Sequence, residues 1–166
     1  FHPSHENIYR LSVKVDDNEA GYHSHFARSY YPWIYEIRDK VPGIKEIARL
    51  NFRKNYIIMT PDREAYRADI ILSDPSVLHV FWFRFLKGSA ADAFNKPLSM
   101  VLTESAALRF LGNADPVGQV LEVYCDRCPE RKSYTITGVV EDYPANSHCI
   151  LAGKQGCRNE SCGESE

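Results

Sequence analysis

The first part of the chain passes from alternating to helical patterning. Residues 8–15 alternate apolar and polar side chains, which is typical of a half-buried strand. Residues 16–24 are polar and predict a loop. Residues 29–41 carry apolar side chains at helical spacing, and residues 44–52 return to a strand pattern. The opening therefore predicts a β-α-β order.

Strand patterns are denser in the middle of the chain. Residues 56–59 and 66–72 flank the turn sequence Pro61-Asp62-Arg63 and predict a hairpin. Further strands are predicted at residues 98–102, 120–124 and 133–140, with residues 125–132 as a hairpin loop.

Two helices are predicted from capping residues. Asp74 precedes Pro75, which predicts a helix start with Asp74 as the N-cap. Thr103 predicts the N-cap of a second helix that ends at Gly112. Together with the strands, these helices predict an α+β fold with mixed or antiparallel strands.

The end of the chain differs in character. From about Cys149 onward the sequence has few apolar residues and no periodicity. We interpret residues 143–166 as a tail that is disordered or foreign to the fold.

Composition narrows the class of protein. The chain has 166 residues, which fits one domain or two small ones, and a net charge of -2 with scattered basic residues. This argues against nucleic-acid binding, which relies on neutralising phosphates. The most apolar stretch, residues 77–86, is too short to span a membrane. The chain starts at Phe1 and not at Met, which indicates a fragment of a longer protein.

Cys125 and Cys128 form the sharpest local motif among the five cysteines. A Cys-x-x-Cys pair suits half of a zinc site, a redox centre or a loop disulfide. The remaining cysteines are irregularly spaced and lie in the tail, which argues against zinc. We favour the disulfide and retain Cys125 and Cys128 only as weak metal candidates.

The sequence offers no clear catalytic or cofactor site. The nucleotide-binding glycine motifs and the nucleophile elbow are absent. Adjacent Ser and His residues do not make a triad, and histidines in polar loops are usually solvated. We predict no catalytic residue, no cofactor and no metal. The residues considered were the histidines His2, His5, His23 and His25, the pairs Ser24-His25 and Ser147-His148, and the carboxylates Asp69, Asp74, Glu104, Glu141 and Asp142.

An aromatic run gives the one candidate partner surface. Trp82, Phe83 and Phe85 lie in a segment that could bind a hydrophobic partner or form a buried joint between a helix and a strand.

Several motifs, in order, resemble the extracytoplasmic core domain of MacB/FtsX-type ABC transporter permeases of the Bacteroidetes type. They cover the chain from its start to His148, and five in matching order and spacing are fairly specific. The motifs are Phe1-His2-Pro3 with Ile8-Tyr9-Arg10; Asp74-Pro75-Ser76 with Val80-Phe81 and Phe85-Leu86-Lys87-Gly88; Pro97 through Glu104-Ser105-Ala106-Ala107; Phe110-Leu111-Gly112 with Asp115-Pro116-Val117-Gly118; and Tyr134 through Val139 with Pro144 through His148.

The resemblance implies a two-part domain. Residues 1–50 would supply the first segment of a porter-like βαβ subdomain, and residues 51–142 an inserted small α/β subdomain. The domain would lie on the periplasmic face of the inner membrane and couple cytoplasmic ATP hydrolysis to export or envelope signalling. Implied partners are an ABC ATPase, a second permease copy and a periplasmic adaptor, with the membrane reached only through helices outside this chain.

Alternatives from other classes remain open. One is a free-standing periplasmic module that binds a peptide or lipid, and the others are a small enzyme and a zinc-stabilised interaction domain. A missing second porter segment would also leave a strand edge unpaired, so we expect dimerisation through residues 8–15 or 44–52.

Overall fold

The computed structural model describes residues 5–17, 21–26, 29, 33–125, 128–143 and 155–158. Within these described residues, three helices and nine strands follow a short 3₁₀ turn at His5–Asn7. The helices are α1 (Trp33–Lys40), α2 (Val77–Val80) and α3 (Glu104–Leu111). The strands are β1 (Val13–Asp17), β2 (Tyr22–Phe26), β3 (Leu50–Met59), β4 (Ala65–Ser73), β5 (Phe85–Gly88), β6 (Ser99–Thr103), β7 (Val120–Cys125), β8 (Cys128–Val140) and β9 (Gln155–Arg158).

The chain divides into two compact units between Ile47 and Ala48. The smaller unit contains the antiparallel pair β1–β2 and the helix α1. The larger unit contains a sheet with the order β5-β8-β6-β9-β4-β3-β7. This sheet closes on itself, because β7 pairs with both β3 and β8. Mixed pairing and separate helices confirm the α+β class.

The core of the larger unit lies inside the closed sheet. Period-two alternation along the strands directs one side chain of every two inward. The largest fully buried apolar side chains come from five strands, and they are Ile58, Ile70, Met100, Leu102, Leu121 and Ile136.

Helix α3 covers this core and begins where the sequence predicts. The hydroxyl of Thr103 accepts a hydrogen bond from the backbone N–H of Ala106, at 3.3 Å, so Thr103 is the N-cap. Gly112 ends the helix at a positive φ of 58°. Phe110 is buried, and burial of such a ring contributes about 2 kcal/mol.

A second apolar cluster lies beside α2. Its buried members are Val77, Ala93, Phe94, Val101 and Val140. The predicted capping role of Asp74 is wrong. Ser76 occupies the N-cap position without a side-chain bond, and the carboxylate of Asp74 pairs with Arg49.

The opening segment differs from its expected β-α-β order. Of residues 16–24, expected in a loop, residues 16–17 belong to β1 and residues 22–24 to β2, because polar side chains suit a hairpin that is exposed to solvent. The strand expected over residues 44–52 starts only at Leu50 and joins the larger sheet. In the tail, Gln155–Arg158 form a strand between β4 and β6, which differs from the expectation of no regular structure there.

Candidate partner-binding surface

The aromatic run after α2 contains partly buried side chains that alternate with exposed ones. Phe83 and Phe85 pack against the second apolar cluster, and the Phe83 ring meets Tyr143 edge-on at 6.0 Å. Trp82 is 61% exposed and Leu86 is 42% exposed. Of the three predicted partner-surface residues, Trp82 is therefore largely exposed, whereas Phe83 and Phe85 are partly buried.

The backbone explains this division. The chain leaves α2 at Phe81 in an extended conformation, and side chains then alternate between the two sides. Leu86 lies outward in the same alternation, and a bulge between Phe85 and Lys87 leaves it as the extra residue of β5. We name the exposed set Trp82, Arg84 and Leu86 the tryptophan face. Arg84 and Leu86 were not among the predicted surface residues, although the alternation that starts at Trp82 points to both of them.

The tryptophan face adjoins a protected sheet edge, because Leu86 lies in β5 and the other two residues precede this strand. Strand β5 is the first strand in the sheet order and pairs with β8. It has four residues, a bulge and a lysine, which are features that discourage pairing with a foreign strand. A partner would therefore contact side chains here, and not the backbone.

Two glycines allow β5 to lie against β8. Gly88 has a φ of 74°, and a Cβ there would collide with the backbone carbonyl of Thr137. A Cβ on Gly138 would come within 2.8 Å of the Phe85 ring. The Gly88 of the FLKG motif is therefore required by the close approach of two strands.

Two ion pairs lie beside β5, one before the strand and one within it. The Arg84 guanidinium donates to Glu141 at 3.3 Å, and the Lys87 ammonium donates to Asp115 at 2.9 Å. The hydrogen bond from Lys87 holds the pKa of Asp115 below its usual value. Lys87 and Asp115 belong to two of the quoted motifs, so this contact joins segments that are distant in sequence.

The cysteine motif lies at the β7–β8 turn. Cys125 and Cys128 are register partners at the end of this antiparallel pair, and Cys125 is half-buried. The Cys128 side chain, like Cys149, Cys157 and Cys162, lies outside the described side chains. The disulfide and the weaker metal reading both stay predictions.

The histidines of β2 make local contacts only. His23 Nδ1 lies 3.1 Å from Asp16, and His25 Nε2 lies 2.9 Å from the Ser12 hydroxyl. Hydrogen bonds from Lys14 and then from His23 lower the pKa of Asp16. Among the described residues, no group of three or more potential ligands is placed to hold a metal ion. His2, the His5 side chain and Ser147-His148 lie outside the described part.

The carboxylates singled out from the sequence do not converge. Asp69 accepts the backbone N–H of Asn55, Asp74 pairs with Arg49, and Glu141 pairs with Arg84. Asp142 accepts the hydroxyl and N–H of Ser105 at the start of α3, and Glu104 is exposed in the first turn. The contacts of the other four carboxylates are separate from one another and typical of structural roles.

A shallow cavity of about 310 Å³ lies beside the β3–β4 turn. Met59 and Val120 give it apolar walls, and the guanidinium of Arg131 is held there by Glu122 at 3.3 Å. Arg131 also lies over the Tyr124 ring at 4.7 Å. A cavity of this size is at the small end of ligand pockets.

Comparison with solved structures shows a similar fold in domains of permeases and transporters. A domain assigned to a permease protein from Porphyromonas gingivalis aligns with a TM-score of 0.64 and 20% identity, over 82% of this chain and 55% of that chain. The periplasmic region of MacB from Actinobacillus actinomycetemcomitans gives 0.54 and 16%, over 74% and 52%. The extracellular domain of the noncanonic ABC-type transporter YknZ from Gram-positive bacteria gives 0.59 and 11%, over 77% and 61%. This chain thus spans between about half and three fifths of the length of these domains.

Other comparisons complete the assignment. None of the curated proteins compared matches the chain. No helix among the described residues has the length and apolarity needed to cross a bilayer. The family described as the MacB-like periplasmic core domain matches residues 2–152. The chain therefore belongs to the MacB-like periplasmic core domain family.

Proposed function

We propose that this chain is the extracytoplasmic domain of an ABC transporter permease and acts without catalysis. It would pass movement, driven by ATP hydrolysis in the cytoplasm, to the outer face of the membrane. The observation that carries the proposal is the family match over residues 2–152. The separate, structural roles of the carboxylates support a domain that works through contacts.

The proposal includes an arrangement of parts. Residues 1–50 would supply the first porter-like segment, and residues 51–142 the inserted subdomain. The division of the chain between Ile47 and Ala48 supports a boundary near residue 50. The partners would be an ABC ATPase, a second permease copy and a periplasmic adaptor.

The tryptophan face is the proposed contact surface for an outer partner. Trp and Arg are the side chains most enriched at energetic centres of interfaces, and Trp82 and Arg84 are both largely exposed. Because the edge of β5 is protected against strand addition, we propose that the adaptor docks through these side chains.

Reporter fusions test the location. A reporter placed after Asn113, in the exposed turn that follows α3, would leave the sheet intact. In the intact permease, we expect alkaline phosphatase to be active there and green fluorescent protein to be dark. A fluorescent fusion with inactive phosphatase would place the domain in the cytoplasm and end the proposal.

The alternative is a free-standing periplasmic module that binds a peptide or lipid. The cavity of about 310 Å³ favours it, because Arg131 and other polar side chains line it beside the apolar Met59 and Val120. It suits one or two peptide side chains better than a lipid chain. Titration with short acidic peptides, followed by NMR shifts at Val120 and Ser133, would separate this alternative from the first proposal.

A further inference from the structure

The chain enters the larger unit at the end of a strand ladder. The division between units falls after Ile47, and β3 begins at Leu50. Leu50 pairs with Ser73, the last residue of β4. The segment that arrives from the smaller unit therefore meets the larger one at the last rung of the β3–β4 ladder.

A two-pronged ion pair continues this ladder by one position. Because β3 and β4 are antiparallel and Leu50 opposes Ser73, Arg49 stands opposite Asp74. Arg49 Nε donates to one Asp74 oxygen at 2.5 Å, and Arg49 Nη2 donates to the other. Both side chains are about two-thirds or more buried, with 34% and 26% exposed. Such a pair is stronger and more directional than a surface contact.

Apolar contacts fasten the same segment on both sides of Arg49. Ala48 and Leu50 pack against the second apolar cluster, together with Leu78 of α2. Asp74 lies directly before the turn that leads into α2, and its carbonyl accepts the N–H of Val77. The entry segment is thus tied to β4, α2 and the cluster within a few residues.

We propose that the Arg49–Asp74 ion pair is a latch that keeps the entry end of the β3–β4 ladder closed. Separation of residue 49 from residue 74 would open the ladder one rung at a time, from its end. If the two strands separate from this end, the ion pair must break before any hydrogen bond between the strands breaks. The latch holds the entry segment in place, so that a pull on the chain before Ala48 does not fray the sheet.

Hydrogen exchange read by mass spectrometry on the whole chain tests the latch. In Asp74→Asn we expect exchange over residues 49–53 to rise about tenfold, since a charged partner is lost from a half-buried site. Exchange over residues 56–59, beyond the bulge between Arg53 and Tyr56, should stay unchanged. The control Asp62→Asn makes the same charge change at the other end of the hairpin and should alter neither segment.

Two further variants keep the test decisive if Asp74→Asn folds poorly. Arg49→Lys keeps the charge but loses the two-pronged contact, and should give a smaller rise over residues 49–53. The reversed pair Arg49→Asp with Asp74→Arg should recover most of the protection. No rise in any variant, or a rise spread over the whole unit, would overturn the latch. That result would leave the permease proposal intact, because the latch does not depend on it.

Discussion

Trp82 and Phe83 are neighbours in the chain with opposite environments. The extended backbone after α2 places Phe83 against the second apolar cluster and Trp82 in solvent. Trp is among the side chains enriched at the energetic centres of interfaces, so an exposed Trp suits a contact surface. For these two neighbours, position along the extended backbone decides which aromatic ring is exposed.

Substitution of Phe83 should lower the stability of the domain more than substitution of Trp82. Phe83→Ala should lower the free energy of unfolding by about 2 kcal/mol, because a partly buried ring leaves a cavity. Trp82→Ala should change it by less than about 0.5 kcal/mol. Urea denaturation measures both. A larger loss for Trp82 than for Phe83 would mean that Trp82 is a packing residue.

Gly88 lies at the close approach of β5 and β8, and Gly118 is a matched control that does not. Both have positive φ values, of 74° and 89°, but only a Cβ at Gly88 would meet another atom within 4 Å. Gly118→Ala should cost about 1 kcal/mol for the backbone conformation alone. Gly88→Ala should cost about 2 kcal/mol more, because the strands must move apart. Equal losses in thermal unfolding would argue against the close approach.

Lys87 should control the titration of Asp115. The hydrogen bond lowers the pKa of Asp115, so its stabilising effect is present above the usual aspartate pKa and is lost as the pH falls through the lowered value. In Lys87→Met, the pKa of Asp115 should rise towards its usual value. NMR titration of the carboxyl carbon measures it, with Asp16 as the internal control. No change at Asp115 would mean that this ion pair is absent in solution.

At the scale of elements, turn and cap residues were the reliable signals in the sequence. The hairpin around Pro61-Asp62-Arg63 and the helix from Thr103 to Gly112 were predicted because their ends are marked by residue chemistry. Strand β2 was missed because its polar side chains face solvent on a two-stranded sheet. The pairing of Asp74 with Arg49 depends on a partner that is distant in the sequence, which local patterns do not encode.

Strand β9 supplies a test at this scale. It pairs with Ile71–Ser73 of β4 on one side and with Met100–Leu102 of β6 on the other. A chain that stops after Tyr143 should lose exchange protection at these two edges, because their backbone groups lose partners. A chain that stops after Arg158 is the control and should keep it. Equal protection in both chains would show that β9 contributes nothing to the sheet.

At the scale of the whole molecule, family and fold agree while individual functions stay proposals. The family match covers residues 2–152, and the fold recurs in domains of permeases and transporters that are 11% to 20% identical. The motifs that carried the resemblance are explained by packing: Gly88 by a close approach, Lys87 and Asp115 by an ion pair, and Thr103 by a helix cap.

The sequence of the source DNA on both sides of this chain tests the central claim most directly. If the chain is the extracytoplasmic domain of a permease, the codons before Phe1 should encode an apolar span of about 20 residues, and further spans should follow downstream. A neighbouring ATPase gene would agree with this result. A start codon close to Phe1 with no apolar span on either side would contradict the account and favour a free-standing binding module.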